Sequence, residues 1–113
     1  MTMLICEIRD LTPLSNLRGV TQNVENLARQ FGLTTKLKRE KSERIHWHLA
    51  RAKERGVLEV TFDVSKPSLV VTVHRNREGT WARAECPRFA KELARQLRGK
   101  TGAAREEQSD GIT

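Results

Sequence analysis

Three imidazoles and two thiols are the residues in this chain best equipped for chemistry. His46, His48 and His74 are the only histidines, and the first two stand two residues apart. On a strand that spacing projects both from one face. Three imidazoles are a donor set for a transition metal, but a metal site also needs groups that orient its ligands. No Asp or Glu stands at a sequence spacing that would orient these three, so the expectation is a solvated histidine surface with no metal and no cofactor. Cys6 and Cys86 lie far apart, with no second Cys or His beside either. That excludes a disulfide framework and a Cys-rich zinc site, and both are expected to be reduced thiols. Cys86, next to Pro87, reads as a small buried residue at a helix start, a place where backbone donors lower a thiol pKa. Gly99-Lys100-Thr101 has the ending of a phosphate-binding loop. However, that loop needs a Gly five positions earlier, where Ala94 stands, and it precedes a helix where this tripeptide follows one. His74 has no nucleophile beside it, and the carboxylates sit mostly next to Arg or Lys as exposed pairs. The chain is therefore read as non-enzymatic, with no catalytic residues.

Charge is the stronger signal. The formal net charge is +7 over 113 residues, and it is unevenly spread. Residues 34–55 hold eight Lys or Arg against three Glu, and residues 75–100 hold eight against three. The stretch between them is close to neutral. Cations in such density replace the counterions condensed on a polyphosphate. The candidate nucleic-acid contacts are Lys36, Lys38, Arg39, Lys41 and Arg44 in the first cluster. In the second they are Arg75, Arg77, Arg83, Arg88 and Lys91, around the start of a last helix where free backbone donors also favour a phosphate.

These residues need elements to position them. Leu4, Cys6 and Ile8 alternate as in a short strand. Thr12-Pro13 offers a cap and a first helical position for a helix whose apolar stripe is Leu17, Val20, Val24, Leu27 and Phe31, ending at Gly32. Residues 34–44 read as an exposed basic arm. Ile45, Trp47 and Leu49 alternate with Arg44, His46 and His48, a half-buried strand. A period of 3.6 is the competing reading, with Ile45, Leu49 and Ala52 on one helical face. Leu58, Val60 and Phe62 pair with Leu69, Val71 and Val73 across a turn at Lys66-Pro67 to give an antiparallel hairpin. Pro87 suits the first turn of a final helix carrying Phe89, Leu93 and Leu97 up to Gly99.

The predicted architecture is α+β in the order α-β-β-β-α, a three-stranded antiparallel sheet with two helices packed on one face. The alternative is a winged helix, α-α-β-β-α. Residues 1–99 form a single globular domain and residues 100–113 a disordered C-terminal tail. With 37% hydrophobic and 31% charged residues, the chain has enough apolar side chains for one core. No apolar run approaches the roughly 20 residues of a membrane span, and the N-terminus does not read as a secretory signal, so a cytoplasmic location is expected. The order resembles that of double-stranded RNA-binding domains, and Ala90-Lys91 in Pro87-Arg88-Phe89-Ala90-Lys91 matches the motif that opens that family's last helix. The resemblance implies RNA phosphate contacts, although Ala50 to Gly56 replaces the Gly-Pro loop that family uses. The expected function is a small basic non-enzymatic domain binding RNA or DNA with low sequence specificity. The alternative is a protein–protein interaction or assembly module, a homodimer included, in which Val70, Thr72 and Thr61 make the second sheet face adhesive.

Overall fold

The computed structural model describes residues 2–11, 17–66, 68–74 and 80–108. The chain runs β1 (Thr2–Arg9), α1 (Leu17–Gln30), β2 (Leu33–Lys41), β3 (Arg44–Arg51), β4 (Leu58–Asp63), β5 (Ser68–His74), α2 (Thr80–Leu97), β6 (Lys100–Thr101) and β7 (Arg105–Gln108). The strands join in one seven-stranded sheet of order β2-β3-β4-β5-β1-β6, with β7 also paired to β1. Each recorded pairing is antiparallel. α1 carries the chain from β1 to the far edge of the sheet, and the meander β2 to β5 returns it to β1's side.

This corrects both expected folds. The sheet has seven strands where three were expected, and the winged helix fails because residues 44–51 are strand β3. Most of the stretch 34–44, read as a basic arm, lies in the edge strand β2, paired with β3 from Leu33↔Arg51 to Lys41↔Arg44. Its burial is confined almost to Leu33, so no hydrophobic alternation announced it. An edge strand needs only backbone partners on one side, and exposed Lys and Arg are typical of such edges. The double-stranded RNA-binding order is excluded with the three-stranded sheet.

One parity of every long strand faces the helices. Leu4, Cys6, Ile8, Ile45, Trp47, Leu49, Leu58, Val60, Phe62, Leu69, Val71 and Val73 join Val20, Val24, Leu27, Phe89, Ala90 and Leu93 in a single core. The placement of Trp47 decides the period-two reading of residues 44–51, since a strand buries the indole completely and lets its Nε1 donate to Glu25 of α1 at 3.2 Å. α1 ends where its stripe predicts, with Gly32 at φ 73° allowing the left-handed turn into β2. The proposed Thr12-Pro13 start lies outside the described residues, as does Pro67 of the β4–β5 turn. α2 begins at Thr80 and holds Pro87 in its interior, several residues earlier than the expected start at Pro87. Trp81 anchors the added turns, donating from Nε1 to the Arg55 carbonyl at 2.7 Å. Of the expected tail, residues 100–101 and 105–108 pair with β1. No helix among the described residues is long and apolar enough to cross a membrane.

Candidate metal site on the open sheet face

Among the described residues no helix covers the opposite strand parity, α1 and α2 both packing on the core side, and there the sheet register assembles the histidines. In β3–β4 the ladder sets His48 opposite Glu59 and His46 opposite Thr61. In β4–β5 it sets Glu59 opposite Thr72, so His74, two residues on, is a diagonal neighbour. Direct and diagonal cross-strand neighbours are within reach of long side chains. Glu59 therefore meets one imidazole directly and two diagonally.

The side chains use that placement. Glu59 Oε1 lies 3.2 Å from His46 Nε2, 3.5 Å from His48 Nε2 and 3.5 Å from His74 Nε2. His46 Nε2 and His48 Nε2 are 3.0 Å apart, their rings meeting edge to face at 75°. His46 Nδ1 is 2.6 Å from the Thr61 hydroxyl, which fixes the ring with Nε2 toward the carboxylate. Glu59 is the only charged residue buried among the described residues, 6% exposed, and the three imidazoles are its only ion-pair partners there. Burial pushes its carboxyl up, but the hydrogen bond from His46 and the charges on His74, His48 and His46 outweigh that and hold it below the ordinary value.

The donor atoms are spaced as ligands of one ion. Zinc binds imidazole nitrogen and carboxylate oxygen at about 2.0 to 2.2 Å, which places neighbouring ligand atoms of a tetrahedron about 3.3 to 3.6 Å apart. His46, His48 and Glu59 supply three atoms within 4.8 Å of one another, and His74 falls outside that group. His74 instead abuts the carboxylate, where it can orient Glu59 as outer-shell partners orient metal ligands. Thr61 holds the corresponding place beside His46. No protein-family model matches the chain, and no curated protein matches it.

Sequence reading found the three histidines and missed Glu59. The carboxylate lies 13 residues beyond His46 in the numbering, and no spacing rule links them. The available signal was its position in the middle of a strand, on the parity opposite Leu58 and Val60.

The eight basic candidates among the described residues do not gather on one surface. Arg39 and Lys41 lie opposite His46 and Arg44 on the open face, and Lys36 sits at the register shift of β2. Lys38 points to the helix side and pairs with Glu25 at 2.9 Å. Arg44 pairs with Asp63 at 3.3 Å, Arg83 with Glu106 and Arg88 with Glu85. Arg88 and Lys91 line a cleft on the helix layer with Gln30, Phe31, Glu92 and Arg95, the Arg88 guanidinium lying 5.7 Å from the Phe31 ring centre. Arg75 and Arg77 lie outside the described residues. Of the described candidates, the first cluster thus lies on β2 and the start of β3, and Arg83, Arg88 and Lys91 lie on α2.

The thiols meet inside the core. Cys6 of β1 and Cys86 of α2 are both free and buried, with Sγ atoms 3.6 Å apart. Cys86 stands in mid-helix, away from the helix start expected for it. Its hydrogen bond to Cys6 and its burial push its thiol far above the ordinary value, so it carries no nucleophilic thiolate at neutral pH.

Proposed function

We propose that this chain is a small metal-binding domain that holds one divalent transition-metal ion on the open face of its sheet, ligated by His46, His48 and Glu59 with His74 backing the carboxylate. The convergence of three imidazole nitrogens on one buried carboxylate oxygen carries the reading. A buried carboxylate must be paired or metal-bound, and among the described residues imidazoles, not Lys or Arg, surround this one; nitrogen-rich donors select zinc-like ions over calcium or magnesium. Equilibrium dialysis and thermal melts of chelator-stripped protein test it. Zinc is expected to bind one to one and, at a hundredfold over Kd, to stabilise by about 2.7 kcal/mol. His46→Gln and Glu59→Gln lose that gain, and magnesium gives none. Absence of zinc uptake with unchanged melting overturns the reading.

A second reading rests on Lys36, Arg39 and Lys41, which are exposed along the β2 edge with no ion-pair partner among the described residues. We propose for them low-specificity phosphate contacts to RNA or DNA. Two free thiols 3.6 Å apart suit the reducing cytoplasm this reading assumes. Fluorescence titration with duplex and single strands at two salt concentrations tests it. A Kd above about 10⁻⁴ M at low salt, weaker than ordinary non-specific binding, removes it.

A further inference from the structure

Resting on the metal reading above, we infer that the ion keeps one coordination position open toward solvent and that this position takes an exchangeable oxyanion, with Arg39 as its charged flank. Structural zinc sites close their shell with four protein ligands, whereas sites that bind external ligands use three and leave the fourth vertex free. Among the described residues three donor atoms lie within mutual reach, and the fourth candidate, His74 Nε2, falls outside that group, 3.5 Å from Glu59 Oε1.

The geometry sets where the free vertex points. Glu59 rises from the sheet with its side chain 8% exposed, and the His46 and His48 side chains beside it are 31% and 18% exposed. Both helices lie against the other face, where the core is. The unfilled position therefore opens away from the sheet.

Charge selects its occupant. Two neutral imidazoles and one carboxylate leave a divalent ion with a net positive charge. The neighbouring charged pair, Arg44 and Asp63, is self-compensated. Arg39 stands directly across the β2–β3 ladder from His46, exposed and on the same face, and adds a second cation with no ion-pair partner among the described residues. An oxyanion bound to the metal with its other oxygens toward a guanidinium satisfies both, as arginine does for phosphate and carboxylate generally. Inorganic phosphate and acetate share this chemistry, and the two separate by phosphate's greater negative charge and additional oxygens, which strengthen its contact with both cations.

Cobalt(II) is a spectroscopic probe of this position. The cobalt-loaded chain is titrated with inorganic phosphate and with acetate while its visible absorption is followed, for the native protein, Arg39→Gln and His74→Gln. Circular dichroism verifies that each variant is folded. The expected result is a saturable spectral change with phosphate, weakened about tenfold in Arg39→Gln while cobalt affinity is unchanged, and a weaker change with acetate. A native spectrum indifferent to both anions overturns the inference and leaves the metal reading standing. If His74→Gln alone becomes anion-sensitive, His74 is the fourth ligand and the shell is closed, which also overturns it. Failure of cobalt to bind at all is the distinct result that removes the metal reading, and this inference with it.

Discussion

Glycine 99 shows how closely the chain is fitted at the level of single residues. A Cβ there would stand 2.7 Å from Ile8 Cγ2, 2.9 Å from Leu11 Cδ2 and 3.0 Å from the Arg9 carbonyl oxygen. The last is backbone and cannot rotate away. Gly99→Ala is expected to destabilise by roughly 1–3 kcal/mol through overpacking, read from urea midpoints. The neighbouring residue has the reverse problem. Arg98 holds φ 58° at the end of α2, a left-handed position that favours glycine. Arg98→Gly is expected to stabilise by up to about 1 kcal/mol; a lower midpoint would show that the arginine side chain contributes more than the backbone strain costs. The histidines belong to this scale as well. Their types were plain in the sequence, yet their role turns on one carboxylate oxygen that three rings approach within 3.5 Å.

At the scale of elements, β2 is the informative case. Its residues outside Leu33 are mostly exposed, so its pairing relies on the ladder to β3 and not on burial. Unpaired edge strands recruit other chains unless they carry charge, and Lys36, Arg39 and Lys41 supply it. Replacing these three with Thr is expected to leave the monomer folded by circular dichroism and to drive self-association, followed by light scattering as concentration rises. A variant that stays monomeric at all concentrations would relieve the charges of this role. β3, β4 and β5 were legible for the opposite reason, since each buries alternate side chains under the helices. The start of α2 was not legible from Pro87, because an interior proline looks in sequence like a first-turn proline until Trp81 is seen to anchor the preceding turns.

Across the whole molecule, carboxylates tie distant parts of the chain together, and this sets its response to acid. Glu7 of β1 is held below its ordinary range by Arg9 and by Arg105 of β7. Asp63 is lowered by hydrogen bonds from Ser65 and Arg44. For Glu25, burial acts upward but Lys38 and Trp47 prevail, and its carboxyl is lowered too. Groups whose folded pKa lies below the unfolded value stabilise the fold above the unfolded value, and that contribution is lost as pH falls through the folded value. The contribution of these three carboxylates is therefore expected to be fully present above the reference values of 4.5 for Glu and 3.8 for Asp and to decline below them. Glu7→Gln should show a shallower decline in urea midpoints between neutral and acidic pH; an identical decline would mean that the β1–β7 contact contributes nothing.

The sequence alone determined what depends on neighbours along the chain. Period-two alternation marked β3, β4 and β5, the stripe from Val20 to Phe31 with Gly32 marked α1, and residue counts marked two basic stretches. Tertiary structure decided everything that depends on register between strands. It made the basic arm an edge strand, placed β1 beside β5 in the interior of the sheet, and put Lys36, Arg39 and Lys41 on β2 but Arg83, Arg88 and Lys91 on α2. It also brought Glu59 under His46, His48 and His74. The reason is that cross-strand pairing is selected by the global burial of one sheet face. A one-residue slip of β3 against β4 would send the histidines into the core and Trp47 to solvent, and local composition holds no record of that choice.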